Sequence, residues 1–131
     1  MENVVIIDSD ILIDYIKNKE DACQTLFNLE QEYRVATTVM NVYELLYGAK
    51  KVKNSSMKVK AMQSMIYQMV ILDMDFEAAV HASEIMHDLE KRGEFIDIKD
   101  ALIASIALRN DVPIKTNNKK HFSRIKGLKL I

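Results

Sequence analysis

One cysteine, Cys23, stands in the whole chain, which excludes an internal disulfide framework and suits a reducing compartment such as the cytoplasm. Three scattered histidines beside that lone cysteine leave a structural zinc site without enough ligands. Glycine (three) and proline (one) are scarce, so there is little material for linkers, and no repeat or low-complexity stretch breaks the chain. These absences favour one domain over 1–131. No apolar run approaches the roughly 20 residues of a membrane span, and the N-terminus lacks the basic, apolar and small-residue pattern of a secretory signal. What is present is 49% hydrophobic and 28% charged residues, the balance of a soluble globular protein with a core of its own.

The formal net charge of −1 hides a segregation. From Asp73 to Asp100 acids dominate, with only Lys91, Arg92 and Lys99 against them. Lys50, Lys51, Lys53, Lys58 and Lys60 form a run with no acid among them, and after Asp111 the tail is basic without exception. Such a division can build a basic face for nucleic acid despite a near-neutral total, although each lysine reads equally well as solvated surface.

Residues 4–10 read VVIIDSD. Four apolar β-branched residues in a row suit a strand buried on both faces, the usual state in a parallel sheet. A helix follows over DILIDYIKNK, with Asp8 or Ser9 as its N-cap. EDACQTLFNLEQ reads as a second helix and RVATT as a short strand. VMNVYELLYGAK reads as a helix with Val39, Val42, Tyr43, Leu46 and Tyr47 turned inward. After a loop near Lys50 to Ser56, a helix to Met69 carries Met62, Met65 and Met69 on one face, a core stripe that also suits a dimer or partner contact. VILD is a third strand. DFEAAVHASEIMHDLEKRG is a long helix capped by Asp75 and ended by Gly93. KDALIASIALRN is apolar enough to lie deep against the sheet. VPIKT is a fourth strand, and LKLI an edge fifth. Strands alternating with helices predict a three-layer α/β/α sandwich around a mainly parallel sheet of four or five strands.

In such a sheet the loops after the strands gather at one edge. Asp8, Glu44, Asp100 and Asn118 are thereby expected to converge on one cleft, with Thr116 ending the fourth strand beside them. Carboxylates crowded in a partly desolvated cleft repel unless a cation neutralises them. An oxygen-only set selects a hard ion, Mg²⁺ or Mn²⁺. Asp8 also serves as a simple N-cap, and Asp97 with Asp100 fits an N-cap and N3 pair, with Asp97 mainly the cap. Asp10 reads as a partner for the helix dipole and Asp14 as surface. His121 is expected to cap the short last helix. Tyr43 and Tyr47 are expected in the core.

Four segments in order, VVIIDSDILIDYI, TTVMNVYELLYGA, DIKDALIASIAL and IKTNNKKHFSRIKGLKLI, resemble PIN-domain proteins of the VapC toxin type. The resemblance runs from residue 4 to 131. It implies a Rossmann-like sandwich, a homodimer, and a metal-dependent endoribonuclease paired with an antitoxin that inserts a basic side chain into the acidic cleft. Asp8, Glu44 and Asp100 then occupy the three acidic positions, and Ser9 stands where the family has Thr or Ser. Thr116 and Asn118 match the motif after the fourth strand, where the fourth acid is often Asp; Asn118 weakens a second metal site.

The mechanism implied is metal-assisted hydrolysis of an RNA phosphodiester. Asp8 and Asp100 hold Mg²⁺ directly or through water, Glu44 orients a metal water or second ion, and one carboxylate acts as general base. Ser9, Thr116 and Asn118 fix water and phosphate, while Lys119, Lys120, Lys50 or Lys51 contact the backbone. Two rivals are weighed. VVIIDSD also resembles the D-x-D strand of haloacid-dehalogenase-like phosphatases, but Ile11 and Leu12 replace the small residues expected there and no acidic pair follows a later strand. A PIN-like RNA-binding module without catalysis is the other, and divalent-ion binding separates it from the enzyme.

Overall fold

The computed structural model describes residues 3–131. Val4–Ile7 form β1, and every one of these side chains is buried. The reason for the unbroken apolar run is visible in the packing. Val4 and Ile6 join one core cluster while Val5 and Ile7 join another, because successive side chains of a strand point to opposite faces.

Helix α1 (Ser9–Ile16) and helix α2 (Glu20–Glu30) follow, then β2 (Arg34–Thr38), α3 (Val39–Lys50), α4 (Ser55–Tyr67) and β3 (Val70–Leu72). Helices α5 (Phe76–Lys91) and α6 (Ile98–Asn110), the two-residue β4 (Ile114–Lys115) and the short α7 (Lys119–Phe122) complete the chain. All strand pairings are parallel, in the order β3-β2-β1-β4. One core cluster holds Leu89 of α5, Ile103 and Ile106 of α6, and Phe122. The cluster on the other side holds Leu12 of α1, Leu26 of α2, Leu45 of α3, and Met62 and Ile66 of α4. This is the three-layer sandwich expected from the alternation of strands and helices. Among the described residues no helix is long and apolar enough to cross a membrane.

The caps of α5 and α6 fall where the sequence places them. Asp75 accepts a hydrogen bond from the Ala78 amide at 2.8 Å, and Gly93 leaves α5 at φ +71°. Asp97 caps α6 through the Lys99 amide at 2.9 Å. The methionine stripe is core, with Met62 buried and Met65 and Met69 packed against the same cluster.

Two expectations need correction. LKLI forms no full fifth strand: Leu130 makes one isolated parallel bridge to Ile114. The β4 edge offers only two residues, since Thr116 leaves the sheet to serve Asp8, so there is no longer ladder to extend. On α3 Val39, Val42 and Leu46 pack against the core as expected, but the fully buried line is Asn41, Leu45 and Ala49, spaced by four, and the two tyrosines do not turn inward. Tyr43 and Tyr47 are 62% and 51% exposed; their rings stack at 5.7 Å and Lys51 lies 4.3 Å from the Tyr47 centroid.

Candidate active site

Parallel strands deliver their carboxyl ends to one edge of the sheet, and most of the buried polar residues gather there, Ser105 within α6 being the exception. Asp8 is the first residue beyond β1 and the N-cap of α1. Its Oδ1 accepts from the Ser9 amide at 2.8 Å and from Asn41 Nδ2 at 3.1 Å, and its Oδ2 accepts from the Thr116 hydroxyl at 2.7 Å. Asp8 is therefore a cap that also lines a pocket at this edge.

Asn41 is the hub behind it, and the sequence reading missed it. Its Nδ2 also donates to Ser9 Oγ at 2.9 Å, while its Oδ1 accepts from the Thr38 amide at 3.2 Å and the Thr38 hydroxyl at 2.7 Å. The Asn41 amide donates back to Thr38 Oγ1, closing a capping box at the start of α3. Thr37 ties β2 to β1 by donating to the Ile7 carbonyl, and Thr116 Oγ1 accepts from the Asn118 amide. Among the described residues no buried side-chain polar atom lacks a partner.

Asp100 meets different surroundings. It lies at the start of α6 and is 9% exposed, yet its one side-chain hydrogen bond among the described residues is a long 3.4 Å contact from Asn118 Nδ2. Burial, followed by the Asp8 charge, pushes its carboxyl up to about 6. Asp10 is raised as well, first by burial and then by Asp8, although the amides of Ile11 and Asn117 donate to its two oxygens. Asp10 lines the pocket, beyond the dipole role read for it. The D-x-D spacing was the signal, since two positions on in a first turn stay at the helix mouth.

Glu44 reaches the same place from α3 and pairs with Lys99 of α6, Nζ to Oε2 at 2.6 Å. Lys99 was not foreseen, because an ion pair spanning 55 residues leaves no local trace. The Glu44 hydrogen bond raises the Lys99 ammonium above its ordinary pKa. Asp8, Ser9, Asp10, Glu44, Asp97, Lys99, Asp100 and Asn118 thus line one open pocket of about 260 Å³, with Ile13. Thr116 stands behind Asp8 and does not line it. Lys119 and Lys120 are exposed on α7, directly after Asn118, whereas Lys50 and Lys51 are exposed at the far end of α3. His121 is not a helix cap: it sits within α7, its Nδ1 3.2 Å from Asn118 Nδ2.

The donor set suits a hard divalent ion held through few protein oxygens. Among the described residues no three acidic, histidine or cysteine side chains gather closely enough to hold an ion unaided. Mg²⁺ does not need that, because it keeps several waters and binds through one or two carboxylates. Asp100, buried, charged against Asp8 and poorly supplied with donors, fits that role.

Residues 5–128 match the PIN domain family, and the chain belongs to it. Relatives named VapC match over most of the chain. The tRNA(fMet)-specific endonuclease VapC of Salmonella typhimurium is 30% identical over 124 residues, 95% of this chain and 93% of its own length. Ribonuclease VapC1 of Methanocaldococcus jannaschii is 31% identical over 131 residues, covering 98% of this chain and 88% of the relative. The DNA-bound VapBC structure from Salmonella typhimurium matches with a TM-score of 0.88 at 28% identity, over 100% of this chain and 98% of that one. VapBC2 of Rickettsia felis, bound to a promoter DNA fragment, matches at 0.89 and 26% identity, over 98% and 97%. The protein is a nuclease of the VapC type, and the phosphatase reading falls.

Proposed function

We propose that this chain is an Mg²⁺- or Mn²⁺-dependent endoribonuclease, the toxin of a VapBC-type pair, acting in the cytoplasm as a homodimer until its cognate antitoxin covers the acidic pocket. The observation that carries the reading is Asp100, a buried carboxylate raised to about 6 beside Asp8 with almost no donor of its own. A group in that state gains most from a cation.

When bound, a divalent ion polarises the scissile phosphate and lowers the pKa of water. The residues supply the rest. Asp8 and Asp100 hold the ion. Asn118 and Ser9 orient water or phosphate by hydrogen bonds. Thr116 and Asn41 keep the Asp8 carboxylate fixed. A pocket carboxylate takes a proton from the attacking water as its oxygen bonds to phosphorus. The P–O3′ bond breaks, its electron pair stays on O3′, and that oxygen takes up a proton. Lys119 and Lys120 hold the RNA backbone without reading sequence. The transfer RNA named for the Salmonella relative makes a structured RNA the first substrate to try.

The test is cleavage of a structured RNA pool, transfer RNA included, by wild type and Asp100→Asn with Mg²⁺, Mn²⁺ or EDTA. Cutting that needs the ion and falls by about 10³-fold in the variant supports the reading, the scale expected when charge stabilisation is removed. Equal cutting in EDTA contradicts it. A wild type that neither cuts nor binds Mn²⁺ returns the protein to the class of RNA-binding modules.

A further inference from the structure

Five carboxylates line the pocket, and Lys99 is the one cation among its lining residues. Its place is built. The Lys99 backbone amide is anchored by Asp97 Oδ1 at 2.9 Å, and the side chain starts one residue before Asp100. The ammonium then reaches across to α3 and meets Glu44 Oε2 at 2.6 Å, with both side chains 31% exposed. A second divalent ion on Glu44 would have to displace this ammonium from Oε2 or share the carboxylate with it. Asn118 supplies no charge to compensate on the other wall. Among the described residues neither Asp8 nor Asp100 is in an ion pair, although the Lys99 charge reaches Asp100.

We propose that Lys99 supplies the second positive charge of the site: one divalent ion binds at Asp8 and Asp100, and the Lys99 ammonium, positioned by Glu44, takes the place of a second ion and binds a non-bridging oxygen of the scissile phosphate. The inference rests on the metal-nuclease reading and goes beyond it, because Glu44 becomes a positioning residue for Lys99 and not a metal ligand. The chemistry is adequate to the task. An ammonium has three donors and no acceptor, so Lys99 keeps Glu44 with one N–H and offers others to the phosphate. Lysine binds phosphate as a point charge, and charge building on the phosphoryl oxygens strengthens that contact in the transition state. Partial exposure lets the phosphate arrive, while the ion pair keeps the ammonium from swinging into solvent. Water adds across the P–O3′ bond as above, and Lys99 neither gives up nor gains a proton.

The experiment combines Mn²⁺ titration by calorimetry with single-turnover cleavage of the same RNA, on wild type, Lys99→Met, Lys99→Arg, Glu44→Gln and Asp100→Asn. Wild type is expected to bind one Mn²⁺ per chain. Glu44→Gln should keep its Mn²⁺ Kd within about threefold, whereas Asp100→Asn weakens it more than about tenfold, since only the latter removes a charged ligand. Lys99→Met should lower the cleavage rate by about 10²-fold without weakening Mn²⁺, and Lys99→Arg should restore at least tenfold of it, the scale for one transition-state donor. Two ions bound by wild type overturn the proposal. So does a Glu44→Gln loss of affinity equal to that of Asp100→Asn, or a Lys99→Met protein that cuts at the wild-type rate. Absence of both Mn²⁺ binding and cleavage in wild type is a different failure, since it overturns the nuclease reading on which this one stands.

Discussion

Asp8 and Asp100 line one pocket, but Asp8 accepts three short hydrogen bonds, two on Oδ1 and one on Oδ2, while Asp100 has a single long contact from Asn118. Asp8 closes the first strand, caps α1, and ties that junction to α3 through Asn41 and to the end of β4 through Thr116. Asp100 ties nothing. Its helix is already capped by Asp97, and its burial leaves it raised to about 6. The difference separates two duties that a mutational loss of activity would merge. In the proposed mechanism one aspartate both builds the site and serves in it. The other costs the fold energy, a cost that a bound cation would offset.

Replacing each by alanine should break the symmetry most widely. Asp8→Ala removes a helix cap and three hydrogen bonds to a carboxylate, and should cost about 3 kcal/mol in urea unfolding. Asp100→Ala should leave the ion-free protein at least as stable as wild type, because it removes a carboxylate held against burial and like charge. Equal destabilisation by the two changes would sink the distinction. A smaller effect sharpens it from the other side. Asn118→Asp places an acid about where Asn118 Nδ2 lies, 3.4 Å from Asp100 Oδ2, and should tighten Mn²⁺ by about tenfold, or about 1.4 kcal/mol. An unchanged Kd would mean that the Asn118 side chain does not face the ion.

Much of this was legible in the chain, for physical reasons that differ from place to place. The VVII run could be read because alternate burial on two faces demands apolar residues at every position. Helix α6 was legible in the same way: seven of its residues, Asp100 included, are buried, so its apolar stretch admits few other placements. Asp8 could be located because the end of a parallel strand is where ligands bind. Helix α3 misled, and Asn41 is why. The helix buries an amide at 41, with Leu45 and Ala49 beyond it, and that line looks less apolar than the face bearing Tyr43 and Tyr47. A buried amide becomes intelligible only when its partners are known, and those come from β1 and from the start of its own helix. Lys99 was hidden for the same reason, its partner being on another element.

The most direct measurement is thermal or urea stability of wild type and Asp100→Asn against pH, with and without Mn²⁺. A carboxyl raised from 3.8 to about 6 by folding contributes its stability fully below its ordinary pKa and loses it as pH rises through about 6. The account predicts that ion-free wild type falls behind Asp100→Asn between pH 4 and 7, reaching a deficit of about 2 kcal/mol, and that Mn²⁺ closes the gap by stabilising wild type alone. A difference that stays flat with pH, or Mn²⁺ stabilising both proteins equally, would contradict it.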